Sequence, residues 1–281
     1  MSRVWFNGAL HIGALPLDPR ERGLLLGDGI FETILVLNRT PLWANMHLAR
    51  MEGAAKELGL GFDRDGLDDA IATILDGIDE THHVLRITLT RGAAVRGLGA
   101  NGGVPTLILL LDRFDPDLMF QPVTLATSSF RRNPWSVTSR LKTVSYIDNI
   151  AAAREAASRG LEDALMLNTE GAVACSTIAN VFLLKGGMLS TPAREHGILT
   201  GVMRQALIAA AGQLDITTEE RAIQPQELIS ADAVFLTNSL RFIRPVKSLD
   251  LQPLAMADLG HLVNALCETA RLQCGRDPRL I

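Results

Sequence analysis

The chain has 281 residues, of which 47% are hydrophobic and 21% charged, and its mean hydropathy is +0.19. This length and apolar content suffice for one large domain or two ordinary ones and exclude a disordered chain. The 27 basic and 31 acidic side chains give a formal charge of −4. The chain therefore lacks the positive field that binds nucleic acid or an anionic membrane surface, and we expect a small-molecule ligand instead.

The three cysteines, Cys175, Cys267 and Cys274, have spacings that suit neither a disulfide framework nor a CxxC metal site. We therefore expect reduced thiols, a cytoplasmic location and no metal. The apolar runs, such as Thr106 to Leu111, are much shorter than the roughly 20 residues of a membrane span. The N-terminal residues have no signal-peptide core, so neither export nor membrane anchoring is expected.

The N-terminal third alternates predicted strands and helices. Asn7-Gly8 after the apolar stretch Val4 to Phe6 predicts a hairpin, because this pair readily adopts the positive φ angles of a type I′ turn. Asn45 is expected to cap a helix that ends at Gly59, since apolar residues recur between them at helical spacing. The other predictions are a second hairpin over 31–43, a helix over 65–76, and strands over 85–89 and 106–111.

The second half of the chain starts a new pattern after a stretch that contains Pro116 and several charges. We place a linker at 116–121, between an N-terminal domain of residues 1–115 and a C-terminal domain of residues 122–281. In the C-terminal part the predictions are a helix over 147–157, a meander of antiparallel strands over 164–189, a helix over 201–211, a strand over 233–236 and a closing helix over 256–272.

Lysine is scarce, with four residues against 23 arginines, which makes the search for a nucleophilic amine short. Lys56, Lys185 and Lys247 lie in a polar helix face, a turn and a polar loop. Lys142 lies between an arginine-containing loop and a predicted helix, where an amine can act as a nucleophile and as a base. Lys142 is therefore the candidate nucleophile, with an ordinary structural lysine as the alternative.

Six segments, taken in order along nearly the whole chain, resemble the pyridoxal-phosphate enzymes of fold type IV. They are residues 22–33, 47–51, 142–150, 176–182, 199–204 and 231–239. This family includes branched-chain and D-amino acid aminotransferases and aminodeoxychorismate lyase. The resemblance implies an α+β, two-domain fold like that of D-amino acid aminotransferase, with a small N-terminal α/β domain and a larger C-terminal domain of mainly antiparallel strands and flanking helices. It also implies a homodimer.

The resemblance assigns the catalytic role and the phosphate contacts of pyridoxal 5′-phosphate. Lys142 matches the residue that forms a Schiff base with the cofactor aldehyde and later moves the α-proton of the substrate. Arg50 matches the phosphate-binding arginine, and a guanidinium fork suits a phosphate dianion. Val202 and Met203 match the backbone N–H groups of a helix start, which favours anions, and Ser239 matches a phosphate-binding hydroxyl.

Three further residues match positions near the cofactor ring or the substrate. Tyr146, the only tyrosine, corresponds to a tyrosine that contacts the cofactor's phenolic oxygen, with a packed aromatic as the alternative. Arg96 resembles an arginine that receives a substrate carboxylate, with a solvated loop arginine as the alternative. Phe31 lies where some relatives have a tyrosine that faces the substrate.

Cys175 is a departure from the family pattern. It lies five residues before Asn180, where the family has a glutamate that pairs with the protonated ring nitrogen of the cofactor. A carboxylate keeps that nitrogen protonated, which makes the ring a better electron sink. A thiol with an ordinary pKa of about 8.5 is a weak, neutral partner. We therefore hypothesise that Cys175 weakens amino-group transfer without removing cofactor binding.

The sequence as a whole predicts a class IV aminotransferase that acts on an amino acid or amine and a 2-oxo acid. One alternative is 4-amino-4-deoxychorismate lyase, which releases pyruvate and 4-aminobenzoate, because 201–205 and 238–246 resemble lyase sequences. A second alternative, based on Cys175 alone, is a cofactor-binding homologue without catalytic activity.

Overall fold

A computed structural model describes residues 2–79, 82–99 and 102–281. It divides the chain into two units, each of which has its own sheet. Unit 1 comprises residues 1–116, 141–145 and 270–281, and unit 2 comprises residues 117–140 and 146–269. Two short stretches beyond the predicted linker, 141–145 and 270–281, are therefore part of the first unit. The fold is α+β with two domains, as expected.

Unit 1 is built on an antiparallel sheet of six strands in the order β2-β1-β6-β5-β3-β4. Both predicted hairpins are present. Asn7 has φ 41° and Gly8 has φ 109° in the first turn, and Asn38 and Arg39 have positive φ in the second. The strands are β1 (Arg3–Phe6), β2 (Ala9–His11), β3 (Gly29–Leu37), β4 (Thr40–Pro41), β5 (His83–Thr90) and β6 (Thr106–Arg113).

Three helices belong to unit 1: α1 (Arg22–Leu26), α2 (Ala44–Leu58) and α3 (Arg64–Leu75). The apolar faces of α2 and α3 pack on the alternating residues of β5, as the periodicity predicts. The expected cap of α2 is wrong. Trp43, in the left-handed region at φ 50°, precedes the helix without a side-chain cap, and the Asn45 Oδ1 instead accepts a hydrogen bond from Arg64 Nη2 at 3.2 Å.

The stretch 141–145 lies along the first residues of β3. The two-residue strand β4 pairs only with Val36 and Leu37, which leaves the beginning of β3 open on that side. The Phe31 N–H donates to the Lys142 carbonyl at 2.9 Å, and the Val144 N–H donates to the Gly29 carbonyl at 3.0 Å. Backbone pairing thus fixes the position of Lys142 next to Phe31.

Unit 2 contains a sheet of nine strands. The path runs β12-β11-β10-β13-β14-β7-β8-β9, β15 pairs with β14, and a further pairing of β9 with β10 closes six of the strands into a ring. Most pairings are antiparallel, including the predicted meander β8-β9-β10-β11. The strands are β7 (Val123–Arg132), β8 (Asp163–Asn168), β9 (Val173–Ser176), β10 (Asn180–Lys185), β11 (Met188–Pro192), β12 (Thr218–Arg221), β13 (Ala233–Asn238), β14 (Phe242–Leu249) and β15 (Gln252–Pro253).

The remaining helices are α4 (Val137–Arg140), α5 (Ile147–Ser158), α6 (Val202–Gln213), α7 (Pro225–Ile229) and α8 (Gly260–Cys274). The predicted helices of this half are present as α5, α6 and α8. The closing helix, however, begins at Gly260 and not at 256, because Met256 pairs with Ala233 in a bridge and Asp258 Oδ1 accepts from the Gly260 N–H at 2.8 Å. Among the described residues, no helix is both long and apolar enough to cross a membrane.

Candidate active site

Lys142, Phe31 and Arg86 form a cluster in unit 1. The Lys142 Nζ lies 4.4 Å from the centroid of the Phe31 ring, and the Arg86 guanidinium carbon lies 3.9 Å from the same centroid. Both distances are in the range of cation–π attraction. The ring is 7% exposed, so Phe31 provides a largely buried aromatic surface beside the candidate nucleophile.

A buried ionic cluster follows directly on β3. Glu32, only 1% exposed, accepts hydrogen bonds from Arg50 Nε at 2.8 Å and from Arg50 Nη2 at 2.6 Å. The His47 Nδ1 lies 2.7 Å from the same carboxylate. Burial alone raises the pKa of Glu32, but the Arg50 charge and the bonds from His47 and Arg50 outweigh it and hold the pKa at about 2. Arg50 is therefore fixed by a bidentate ion pair with an ionised carboxylate.

His47 is the neutral member of this cluster. Burial lowers its pKa, as do the nearby charges of Arg50 and Lys142, while the bond to Glu32 acts in the opposite direction. Because the Glu32 carboxylate can only accept, Nδ1 carries the proton of the neutral ring. The buried Nε2 then has a lone pair with no hydrogen-bond partner in the described part of the chain.

Arg96 lies in an exposed part of the loop after β5. Within residues 2–79, 82–99 and 102–281, no hydrogen bond or ion pair of its side chain is found, and none joins it to Phe31, Arg50 or Lys142. Of the four candidate residues in unit 1, the structure therefore places Lys142 beside Phe31 and Arg50 on the neighbouring Glu32, and it leaves Arg96 separate.

Unit 2 aligns Cys175, Asn180 and Thr237 across three neighbouring strands. Asn180 of β10 is the register partner of Cys175 in β9 and of Thr237 in β13. Directly opposed residues of antiparallel strands project to the same face, so the three side chains form a row. The Asn180 Nδ2 donates to the Leu199 carbonyl at 2.8 Å, which ties this row to the chain just before α6.

The beginning of α6 has the properties of an anion site. Gly201 precedes Val202 and Met203 and makes no side-chain cap, so the first N–H groups of the helix are available to an acceptor. A Cβ atom at Gly201 would meet the Asn180 Oδ1 at 2.1 Å, which explains the glycine. The Thr237 hydroxyl is buried without a hydrogen-bond partner among the described residues.

The surroundings of Cys175 keep its thiol neutral. The residue is 8% exposed and packs in a cluster with Ala152, Met166 and Ile198. Burial raises the pKa of the thiol, Asp163 raises it further, and the nearby Arg132 guanidinium opposes both without reversing the shift.

Arg132 is a buried cation whose charge acts on Cys175. It donates from Nη2 to the carbonyls of Thr138 and Ser139, at 3.1 and 3.0 Å, and from Nη1 to Asn149 at 3.2 Å. Its Nε is buried and has no partner in the described residues. The sequence does not single out this arginine, because it is one of 23 and its hydrogen-bond partners are apparent only in the folded chain.

Tyr146 and Ser239 are the remaining candidates in unit 2. Tyr146 is half-buried and immediately precedes α5, and Ser239 is half-buried in the turn after β13, two residues beyond Thr237. Glu32 and His47 in unit 1 were also missed as site residues, although both lie within segments that carry the family resemblance. In the portion of the chain that the structure describes, no group of three or more histidine, cysteine, aspartate or glutamate side chains could hold a metal ion.

Comparisons with known proteins agree with the family resemblance of the sequence. Residues 29–249 match the family model of amino-transferase class IV. An aminodeoxychorismate lyase from Bacillus subtilis is 28% identical over 241 residues, covering 83% of this chain and 82% of the relative.

Two solved structures are similar over nearly their full lengths. A branched-chain aminotransferase from Thermoproteus uzoniensis, crystallised with norvaline, has a TM-score of 0.86 at 25% identity and covers 99% of this chain and 96% of its own. A 4-amino-4-deoxychorismate lyase from Pseudomonas aeruginosa has a TM-score of 0.82 at 28% identity, covering 95% and 98%.

Proposed function

The chain belongs to the class IV aminotransferases, and from this premise we propose that it is a pyridoxal-phosphate-dependent enzyme that moves an amino group from an amino acid to a 2-oxo acid. The observation that carries the proposal is the pair of neighbouring residues on β3, where Phe31 lies beside the Lys142 amine and Glu32 holds the Arg50 guanidinium. A primary amine and a fixed guanidinium match the aldehyde and the phosphate of the cofactor.

Each unit by itself contains groups that suit part of the cofactor. In unit 1, Lys142 would bind the aldehyde covalently and Arg50 would bind the phosphate. In unit 2, the uncapped start of α6 supplies N–H groups for an anion. The residues proposed to hold the cofactor are Arg50, Lys142, Tyr146, Cys175, Val202, Met203 and Ser239.

When bound, pyridoxal phosphate supplies an electron sink for the carbon that loses its proton. The chain's own part is acid–base chemistry and positioning. The Lys142 amine would take the α-proton of the amino acid as a general base and, once protonated, would deliver a proton as a general acid. Arg50 balances phosphate charge, and Glu32 keeps the guanidinium in one orientation. Phe31 is proposed to face the substrate, and Arg96 to receive its carboxylate.

Cys175 is proposed to weaken this chemistry. A neutral thiol and the positive charge of Arg132 both disfavour a proton on a nearby pyridine nitrogen, in contrast to a carboxylate. The consequence would be slower amino-group transfer with cofactor binding retained, since neither Lys142 nor Arg50 depends on Cys175.

A lyase activity is the second candidate function. The relatives from B. subtilis and P. aeruginosa are aminodeoxychorismate lyases, and both are as similar to this chain as the aminotransferase relative is. Such a lyase would release pyruvate and 4-aminobenzoate from 4-amino-4-deoxychorismate. A cofactor-binding homologue without catalysis is the third candidate, and its support is again Cys175.

One set of assays separates these candidates. The cofactor-loaded protein is incubated with amino acids plus 2-oxoglutarate or pyruvate, and separately with 4-amino-4-deoxychorismate and no oxo acid. Amino transfer that needs both substrates, and that falls roughly 100- to 10,000-fold in Lys142→Ala, is the expected result. Pyruvate release from 4-amino-4-deoxychorismate without an oxo acid would show that the protein is a lyase and not an aminotransferase. A cofactor absorbance that no amine changes would favour the non-catalytic homologue.

We also propose a homodimer. The helix α1 exposes three consecutive leucines, Leu24, Leu25 and Leu26, at 67%, 62% and 50%, and the neighbouring loop exposes Val95 and Leu98 at 74% and 82%. These five residues, the exposed apolar surface, lie on backbone segments joined by the hydrogen bond from the Ala94 N–H to the Arg20 carbonyl at 3.4 Å. Several exposed large apolar side chains on two joined segments are typical of a subunit interface.

A further inference from the structure

Asp28 connects two arginines from distant parts of unit 1. Its Oδ2 accepts from Arg22 Nε at 2.8 Å and from Arg91 Nε at 2.8 Å, and its Oδ1 accepts from Arg91 Nη2 at 3.2 Å. Burial raises the pKa of Asp28, but Arg91 and Arg22 outweigh it and leave the pKa below its ordinary value. The carboxylate is therefore an ionised, bidentate acceptor at the point where the chain enters β3.

Arg22 extends this connection into the loop that carries Arg96. The Arg22 side chain is only 7% exposed, and with Nε bound to Asp28 its two terminal nitrogens donate to the carbonyls of Gly97 and Leu98, at 2.8 and 3.1 Å. Such a planar fork, with one bond from each of its three nitrogens, holds its acceptors in a fixed geometry. Lysine could not reproduce these contacts, because it has a single nitrogen.

The other side of Arg96 is anchored as well. The Arg22 N–H donates to the Gly92 carbonyl at 3.0 Å, and the Ala94 N–H donates to the Arg20 carbonyl at 3.4 Å. Arg96 thus lies, exposed, between a backbone anchor at 94 and a side-chain anchor at 97, and its guanidinium has no partner within the described part of the chain. A loop held on both sides presents its free cation in a narrow range of positions.

We infer that Asp28 and Arg22 are positioning residues for substrate recognition: they hold the loop that presents Arg96 to the carboxylate of the amino acid. The inference rests on the proposed function, because it takes Arg96 as the carboxylate-binding residue. It accounts for a half-buried carboxylate and a buried arginine that together join the beginning of β3 to the carbonyls of Gly97 and Leu98. Asp28 and Arg22 act through the loop and touch no reacting atom.

The test uses the cofactor-loaded protein with Asp28→Asn and Arg22→Lys. Asp18→Asn is the matched control, since Asp18 and Arg20 form an exposed ion pair in the same segment with an Oδ2 to Nη2 distance of 2.7 Å. We expect KM for the amino acid to rise roughly 10- to 100-fold in both variants, with kcat and the affinity for pyridoxal phosphate within about twofold of wild type. Backbone amide hydrogen exchange at Ala94, whose N–H donates to the Arg20 carbonyl, should accelerate in both and stay unchanged in the control.

Each outcome decides the inference. Faster exchange with an unchanged KM would overturn it, as would a fall in kcat and cofactor affinity equal to the change in KM, because general damage to the unit would then be the cause. If Asp28→Asn does not fold, Arg22→Lys provides the same test. Lysine keeps the positive charge but cannot bond Asp28 and the carbonyls of Gly97 and Leu98 at the same time. A wild type without amino transfer would contradict the proposed function, while unchanged exchange in both variants would contradict the anchoring itself.

Discussion

Cys175, proposed to lie at the ring nitrogen of the cofactor, is close enough to Arg132 to feel its charge. A carboxylate in place of the thiol would be paired by Arg132, whose buried Nε lacks a partner among the described residues. We predict that Cys175→Glu accelerates amino transfer at least about tenfold, because a protonated ring withdraws electrons better. The measurement is the single-turnover rate with an amino acid, and Cys175→Ser is the matched control that adds no charge. A glutamate variant no faster than the serine variant would show the hypothesis to be wrong.

Glu32 stabilises unit 1 through its charge, and this gives a pH-dependent prediction. The pKa of Glu32 in the folded state, about 2, is below its ordinary value of 4.5. The contribution of this charge to the unfolding free energy is therefore complete above pH 4.5 and is lost as the pH falls through about 2. A depression of this size corresponds to roughly 3 kcal/mol. We predict that Glu32→Gln loses about that much unfolding free energy at pH 7.

Urea unfolding at pH 7, 5 and 3 checks this prediction. The gap between wild type and Glu32→Gln should be constant from pH 7 to 5 and should narrow at pH 3. Glu52→Gln is the matched control, because Glu52 is an exposed glutamate of the same helix α2 that carries His47 and Arg50. A gap that does not change with pH would mean that the charge of Glu32 is not the source of its stabilisation.

At the scale of elements, the close packing at the start of α6 predicts how a substitution of Gly201 changes cofactor affinity. Gly201→Ala would place a Cβ at 2.1 Å from the Asn180 Oδ1, so the Asn180 side chain must move and its bond to the Leu199 carbonyl must weaken. Because the first N–H groups of α6 are proposed to bind phosphate, we expect about a tenfold loss of affinity for pyridoxal phosphate and no loss for pyridoxal, which lacks the phosphate.

Equilibrium binding measured by fluorescence separates these two ligands. Gly212→Ala is the control in the same helix, since a Cβ there would meet no atom within 4 Å. An equal loss for pyridoxal phosphate and pyridoxal in Gly201→Ala would contradict the assignment of the phosphate to this helix start.

Elements with clear periodicity could be predicted from the sequence, and elements held by distant partners could not. The helices α2 and α3 and the strands β5 and β6 follow from the spacing of apolar residues. The strand β12 has the polar sequence Thr218–Arg221, and only its parallel pairing with β11 makes it a strand. The same limit applies to the site, where Lys142 was singled out by its rarity, whereas Glu32 and Arg132 depend on partners that local patterns do not show.

At the scale of the whole molecule, the exposed apolar surface predicts the assembly. We expect a particle of twice 30.4 kDa at micromolar concentration, and a shift toward the monomer in Leu25→Glu, since a charge there would be buried without a partner. Sedimentation equilibrium measures both. Leu272→Glu, at an exposed leucine of α8 outside that surface, should leave the mass unchanged. A monomeric wild type would contradict the proposed homodimer.

The two units have separate cores, yet the chain passes into unit 1 again at 141–145, and this return positions the candidate nucleophile. A linear pattern of residues cannot predict that return. It follows from the short strand β4, which leaves the beginning of β3 open to the backbone of Lys142 and Val144.

The central claim is that Lys142 binds pyridoxal phosphate covalently, and borohydride reduction of the cofactor-loaded protein followed by peptide mapping tests it most directly. Reduction turns the linkage into a stable secondary amine that adds mass to one lysine. We predict that this mass is found on the peptide containing Lys142 and is absent from Lys142→Arg. A label on Lys56, Lys185 or Lys247, or no label at all, would contradict the account.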